Sequence, residues 1–217
     1  MFNLPQSTEF NKRIPKQKFY DNLSVTPAIK RIFVEQIKTI HLANKIAATT
    51  VNVAEGEAVK EIEVFIVSLT KPELDEKVLH LIDKEIPYHI LFLLEHNDKY
   101  QAWIGYKEKS DGNAAFKSVK YFHTGWLDGS EFELKLDGFD LDSIYSGFVR
   151  RIAEYEQSNE WNENLTLGEN VADIDRVQKL KKEIERLEKL ARKETQPKKK
   201  FELVQELNKL KRNLING

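Results

Sequence analysis

Glu61, Glu63, Glu95 and Lys107 have the side-chain types that could hydrolyse a phosphodiester. Carboxylates gathered on a sheet hold Mg²⁺ and orient a water, and a nearby lysine steadies developing negative charge. Glu61 and Glu63 share one face of an alternating segment, however, and no Asp followed by a Glu-x-Lys triplet stands where such a site needs one. Solvent-face or strand-end charges are the plainer reading of all four. A second chemistry is contact with phosphate. Lys12, Arg13, Lys16 and Lys18 are interleaved with Ile14, Phe19 and Tyr20, and Lys198, Lys199 and Lys200 form a later cluster. Cations neutralise phosphates and aromatic faces stack on unpaired bases. The bland counterpart is a solvated segment anchored by its aromatics, and solubilising charge between helices.

Other chemistries find less support. The five histidines are His41, His80, His89, His96 and His123; none is paired at i, i+4 spacing and no HExxH occurs, so no metal site is expected. The nine glycines form neither GxGxxG nor GxxxxGK, and GxSxG is absent, so no cofactor is expected either. Tyr121 to Trp126 is a dense run of polar aromatics that could line a pocket or simply pack a strand end on the core. There is no cysteine, which removes disulfides and thiolate chemistry. The N-terminus lacks an apolar signal core and no apolar run approaches 18 residues. These features lead to the expectation of a cytoplasmic protein with no membrane contact.

The elements that must position these residues divide into a body and an appendage. After Thr26-Pro27, a capping residue with proline at the first helical position, Ile29, Ile32, Phe33, Ile37 and Ile40 recur at helical spacing and predict a helix to about Asn44. Glu61–Leu69 alternates and is β-branched, which predicts a strand buried on both faces near its end. Thr70 to Glu73 fits a capping box, followed by a helix bearing Leu74, Val78, Leu81 and Ile82 that ends at Pro87. Tyr88–Glu95 and Tyr100–Lys107 read as strands around a turn at His96 to Lys99, with further strands at Val119–His123 and Phe132–Leu136. Asp140 or Asp142 caps a last helix carrying Leu141, Ile144, Tyr145, Phe148, Val149 and Ile152. The order gives an α+β domain over residues 1–157, with a mostly antiparallel sheet and helices packed on one face.

Residues 158–170 read as a polar linker, and 171–217 as a basic helical hairpin. Leu180, Ile184 and Leu187 repeat at spacings of four and three, and Leu203, Leu207 and Leu210 do the same beyond Pro197. This short coiled-coil-like seam is the candidate surface for a partner or a second copy. Fourteen Lys and Arg face eight Asp and Glu in 171–217, about +6, which leaves residues 1–170 at about −7. A chain polarised in this way is built for contact.

Leu4-Pro5-Gln6-Ser7-Thr8 through Ile14-Pro15-Lys16-Gln17-Lys18-Phe19-Tyr20 resembles the prokaryotic family known as domain of unknown function 4391. So do Leu74 to Val78, Glu85 to Phe92, Trp103 to Lys107 and the step Lys193-Glu194-Thr195-Gln196. The resemblance carries no catalytic residues. It implies a setting beside DNA methyltransferases and helicases in restriction-type or antiphage-defence clusters. The expectation is a non-catalytic adaptor that docks a helicase, a methyltransferase or its own copy through the hairpin, with nucleic acid met by the basic patches. The alternatives are a metal-dependent nuclease and a sequence-independent nucleic-acid binder.

Overall fold

A computed structural model describes residues 2–22, 25–109, 116–129, 131, 133–156 and 161–215. Two compact units divide the chain, Met1–Trp161 and Asn162–Gly217. In the first, a 3-10 turn at Gln6–Thr8 leads into β1 (Glu9–Arg13), then α1 (Lys16–Asn22), α2 (Pro27–Gln36), β2 (Ile37–Ala47), α3 (Ala48–Val51) and β3 (Glu61–Leu69). There follow α4 (Lys77–Glu85), β4 (His89–His96), β5 (Lys99–Lys109), β6 (Phe116–His123), β7 (Leu127–Asp128) and α5 (Leu141–Glu156). The second unit is α6 (Leu167–Lys193) and α7 (Pro197–Ile215).

The sheet runs β1-β2-β3-β4-β5-β6, with β7 on β5. Among the described strands every pairing is antiparallel except β3 with β4, which α4 joins as a crossover. The chain is therefore α+β with a mostly antiparallel sheet, as its sequence predicts. Parallel neighbours need covering on both faces, and the helices divide accordingly, instead of gathering on the one face that the sequence predicts. Phe33 of α2 and Val78, Leu79 and Ile82 of α4 bury Phe65, Val67, Phe92 and Leu94 on one face. α5 lies on the other, where Tyr145 meets His89 edge-on at 4.5 Å and bonds the Gly105 carbonyl. The turn between β4 and β5 has Asn97 at φ 50° and Asp98 at φ 60°, the paired left-handed residues of a tight hairpin.

Two stretches depart from the sequence reading. The helix predicted to Asn44 stops at Gln36, and Ile37–Ala47 is a strand. Its register slips twice against β3, between Ile37 and Thr39 and between Leu42 and Asn44. Buried positions therefore fall at Ile37, Ile40, Leu42 and Ile46, and this broken alternation mimics a helical period. Of the strand predicted at Phe132–Leu136, Phe132 lies outside the described residues and 133–136 form no strand; Leu134 is buried and its N–H donates to the Phe2 carbonyl. Thr70 does not cap α4. Its hydroxyl donates to the Glu35 carbonyl at 2.7 Å, which closes the corner after α2, and α4 begins only at Lys77.

α5 is tied down by Asp140, whose carboxylate accepts the Ser143 N–H at 2.8 Å. Asp142 reaches back to the loop before β3 and accepts the N–H groups of Glu57 at 2.6 Å and Val59 at 2.7 Å. A Cβ on Gly56 would lie 2.4 Å from that carboxylate, so only glycine fits there.

Candidate functional site

The sheet end where β3 and β4 begin and β5 finishes carries a set of mutually paired polar side chains. Lys45 on β2 sits opposite Glu63 in the register. Its ammonium lies 2.7 Å from Glu61 and 3.0 Å from Glu63, under the rings of Phe10 at 5.2 Å and Tyr88 at 5.8 Å. Burial pulls the Lys45 ammonium down, but its two carboxylates outweigh that and leave it raised. Burial pushes the Glu63 carboxyl up, against the opposing pull of Lys45.

Lys107 sits beside this group. Its side chain is 4% exposed and lies 2.8 Å from the carboxylate of Asp83, itself 1% exposed. It also donates to the carbonyls of Asp83 at 3.1 Å and Tyr88 at 2.8 Å. Asp83 stands in the last turn of α4, where carbonyls lack helical partners, so Lys107 closes that helix end as well as pairing the charge. The Tyr121 hydroxyl donates to the other Asp83 oxygen at 2.6 Å, and His80 stacks on the Tyr121 ring at 4.1 Å. A Cβ on Gly105 would meet Tyr121 at 2.8 Å, so glycine lets that ring approach β5. The cluster fastens the end of α4 to β5 and β6.

His89 opens β4 beneath Tyr145. Burial, and then the charge of Lys107, lower its pKa from 6.5 to about 4. The imidazole is neutral in both folded and unfolded chains above pH 6.5, so it adds no pH dependence there. Between about pH 6.5 and pH 4 the unfolded chain takes up a proton that the folded chain refuses, and stability falls with pH. The loss should reach on the order of 3 kcal/mol and level off below that window. Urea unfolding at a series of pH values should show this slope in the native chain and lose it in His89→Gln; an unchanged slope in the variant would refute the assignment.

Glu95 stands apart from the other nuclease candidates. It pairs in register with Ser68, whose hydroxyl it accepts, five residues along β3 from Glu63. That is about 16 Å of strand. Glu61 and Glu63 are held by Lys45, and Lys107 by Asp83. Among the described residues no three His, Asp or Glu side chains are grouped to hold a metal ion. The four therefore do not come together as one phosphodiester-cleaving centre.

The basic patches are placed as follows. Lys12 and Arg13 are exposed on the edge strand β1, where cations also discourage pairing with another sheet. Lys18 is exposed on α1. Lys16 turns inward and donates to the carbonyls of Phe33 and Ile37, capping the end of α2; burial and then Arg13 lower its pKa. Lys198, Lys199 and Lys200 are all exposed on the first turn of α7. The Tyr121–Trp126 run is absorbed into packing: His123 stacks on Trp103 at 4.4 Å, and the Thr124 hydroxyl accepts the Ala102 N–H at 3.0 Å.

α6 starts at Leu167, inside the stretch whose composition reads as linker, with a reciprocal capping box between Thr166 and Glu169. Ile184, Leu187 and Leu207 form a buried seam with α7, and Leu203, Leu210 and Leu214 pack against it. Five of the six candidate partner residues thus bind the two helices to each other. The sixth, Leu180, is half-buried and lines an open groove of about 490 Å³ with Ala172, Asp175, Arg176, Lys179 and Glu183. Several cations of α6 are paired locally: Arg176 with Asp173 at 2.7 Å, Lys179 with Asp175 at 2.6 Å and Arg186 with Glu183 at 2.6 Å.

Asp83, Lys45 and Tyr145 are absent from the sequence-based site. One signal was available: Asp83 follows Leu79 by four residues on a helix face that also buries Val78 and Ile82, and an acid there needs a buried partner.

A mostly antiparallel α+β body and a separate cationic helical hairpin define the class. The chain belongs to the family described as Domain of unknown function (DUF4391), which matches residues 2–214. No curated protein and no solved structure matches it. No helix among the described residues is long and apolar enough to cross a membrane.

Proposed function

We propose that this chain is a non-catalytic accessory subunit of a prokaryotic DNA-modification, restriction or antiphage-defence complex, and that the hairpin is its contact element. The observation that carries this reading is the hairpin itself: a compact unit of its own whose apolar seam is closed internally. A two-helix appendage that needs no other surface to fill its seam is suited to presenting its outer faces. At the end of the sheet where β3 and β4 begin, Lys45 is paired with Glu61 and Glu63, and Lys107 with Asp83, which favours a scaffold over a catalyst. A helicase or DNA methyltransferase of the same system would sit against α6 around Leu180, where an apolar floor has charges of both signs at its rim.

The test is affinity purification from the native host, comparing the full chain with residues 1–161 after nuclease treatment. The full chain should retain a helicase or methyltransferase that the truncation loses. Retention by both would place the contact on the body, and retention by neither would end the adaptor reading.

A further inference from the structure

The outer face of α7 differs from the rest of the hairpin. Its seam residues are Leu203, Leu207, Leu210 and Leu214. Half a helical turn away run Lys198, Phe201, Gln205, Asn208 and Arg212, all exposed, with Phe201 62% exposed. This stripe carries no carboxylate. Glu202 and Glu206 lie on a flank, and Glu206 is close enough to act on Arg186 of α6. Whereas Arg176, Lys179 and Arg186 on α6 and Lys211 on the flank of α7 each pair with an acid, no ion pair holds Lys198 or Arg212 among the described residues.

We infer that this stripe is a duplex-DNA contact, with α7 entering the major groove. A helix of about 10–12 Å diameter matches a groove about 12 Å wide. The stripe covers about 21 Å of helix at 1.5 Å per residue. Cations at its two ends are placed for phosphates, and Lys199 and Lys200 widen the first of these contacts. The centre holds two amides, the side chains that pair with adenine edges, and a phenyl ring suited to a thymine methyl. A protein-docking helix instead shows apolar anchors at i, i+3 or i+4, and i+7; here only Phe201 and its neighbour Val204 are apolar. The inference rests on the hairpin as the contact element and names what its second helix touches.

Fluorescence anisotropy of the full chain with a labelled mixed-sequence 30-bp DNA duplex, over a salt series, tests it. Binding should weaken with salt at a logarithmic slope of about −3, for three to four phosphates neutralised. Lys198→Glu combined with Arg212→Glu should flatten the slope by about two, and Phe201→Ser should weaken binding severalfold. Lys71→Glu, at an exposed lysine of the body, should leave it unchanged. Circular dichroism of each variant checks that the hairpin is intact. An RNA duplex of the same sequence should bind more weakly, because its major groove is too narrow for a helix. Absence of duplex binding at low salt, equal affinity for the RNA duplex or for single strands, or indifference to the double charge reversal would overturn the inference. An adaptor that still captures its protein partner while failing these tests would leave the proposed function standing.

Discussion

Asp83→Ala should lower the unfolding free energy by about 3–5 kcal/mol, because it strands a buried ammonium. Lys107 is sealed from water, and the side-chain charge opposite it comes from Asp83. The same change takes the acceptor from the Tyr121 hydroxyl and loosens the end of α4. Removing both charges together, as Asp83→Leu with Lys107→Met, should cost far less than the two single changes combined, since an apolar pair can replace a buried ion pair at little loss. Urea denaturation of the four proteins completes the cycle. A single-variant loss below about 1 kcal/mol would show that water reaches the pair and that the cluster is not the clamp described here.

Leu187→Ala should destabilise the hairpin by about 2–4 kcal/mol while sparing the body. Leu187 is 1% exposed at the centre of a seam whose other buried members are Ile184 and Leu207. A two-helix unit with so small a core has little stability to lose, so the deletion should unfold it locally. Hydrogen exchange should then speed up across α6 and α7 and stay slow in β3 and β4. Equal loss of protection in both units would mean that they unfold as one.

What the sequence made legible follows from how local each signal is. β3 was readable because alternation and β-branching act within nine residues, and the β4–β5 turn because Asn97 and Asp98 tolerate left-handed backbone. The hairpin was readable from its leucine spacing and from Pro197 at the head of α7. β2 was not, because its two register slips arise from pairing with a strand that comes later in the chain. The role of the leucines was equally non-local: spacing shows that a seam exists, and only the fold shows that α6 and α7 close it on each other. The buried cluster depended on α4 crossing β5 and β6, so Asp83, Lys107 and Tyr121 carried no common sequence mark. Glu61, Glu63 and Glu95 looked alike as strand carboxylates, yet the parallel pairing of β3 with β4 sets Glu95 near the opposite end of the sheet.

The most direct test of the hairpin as the contact element is site-specific photocrosslinking in the native host. A benzophenone amino acid would replace Leu180 on α6 or, as the body control, Val119 on β6, which is 54% exposed. Position 180 should crosslink to one helicase or methyltransferase, and position 119 should not. Crosslinks to such a partner from position 119 alone would contradict that expectation, and would move the binding surface from the hairpin to the sheet.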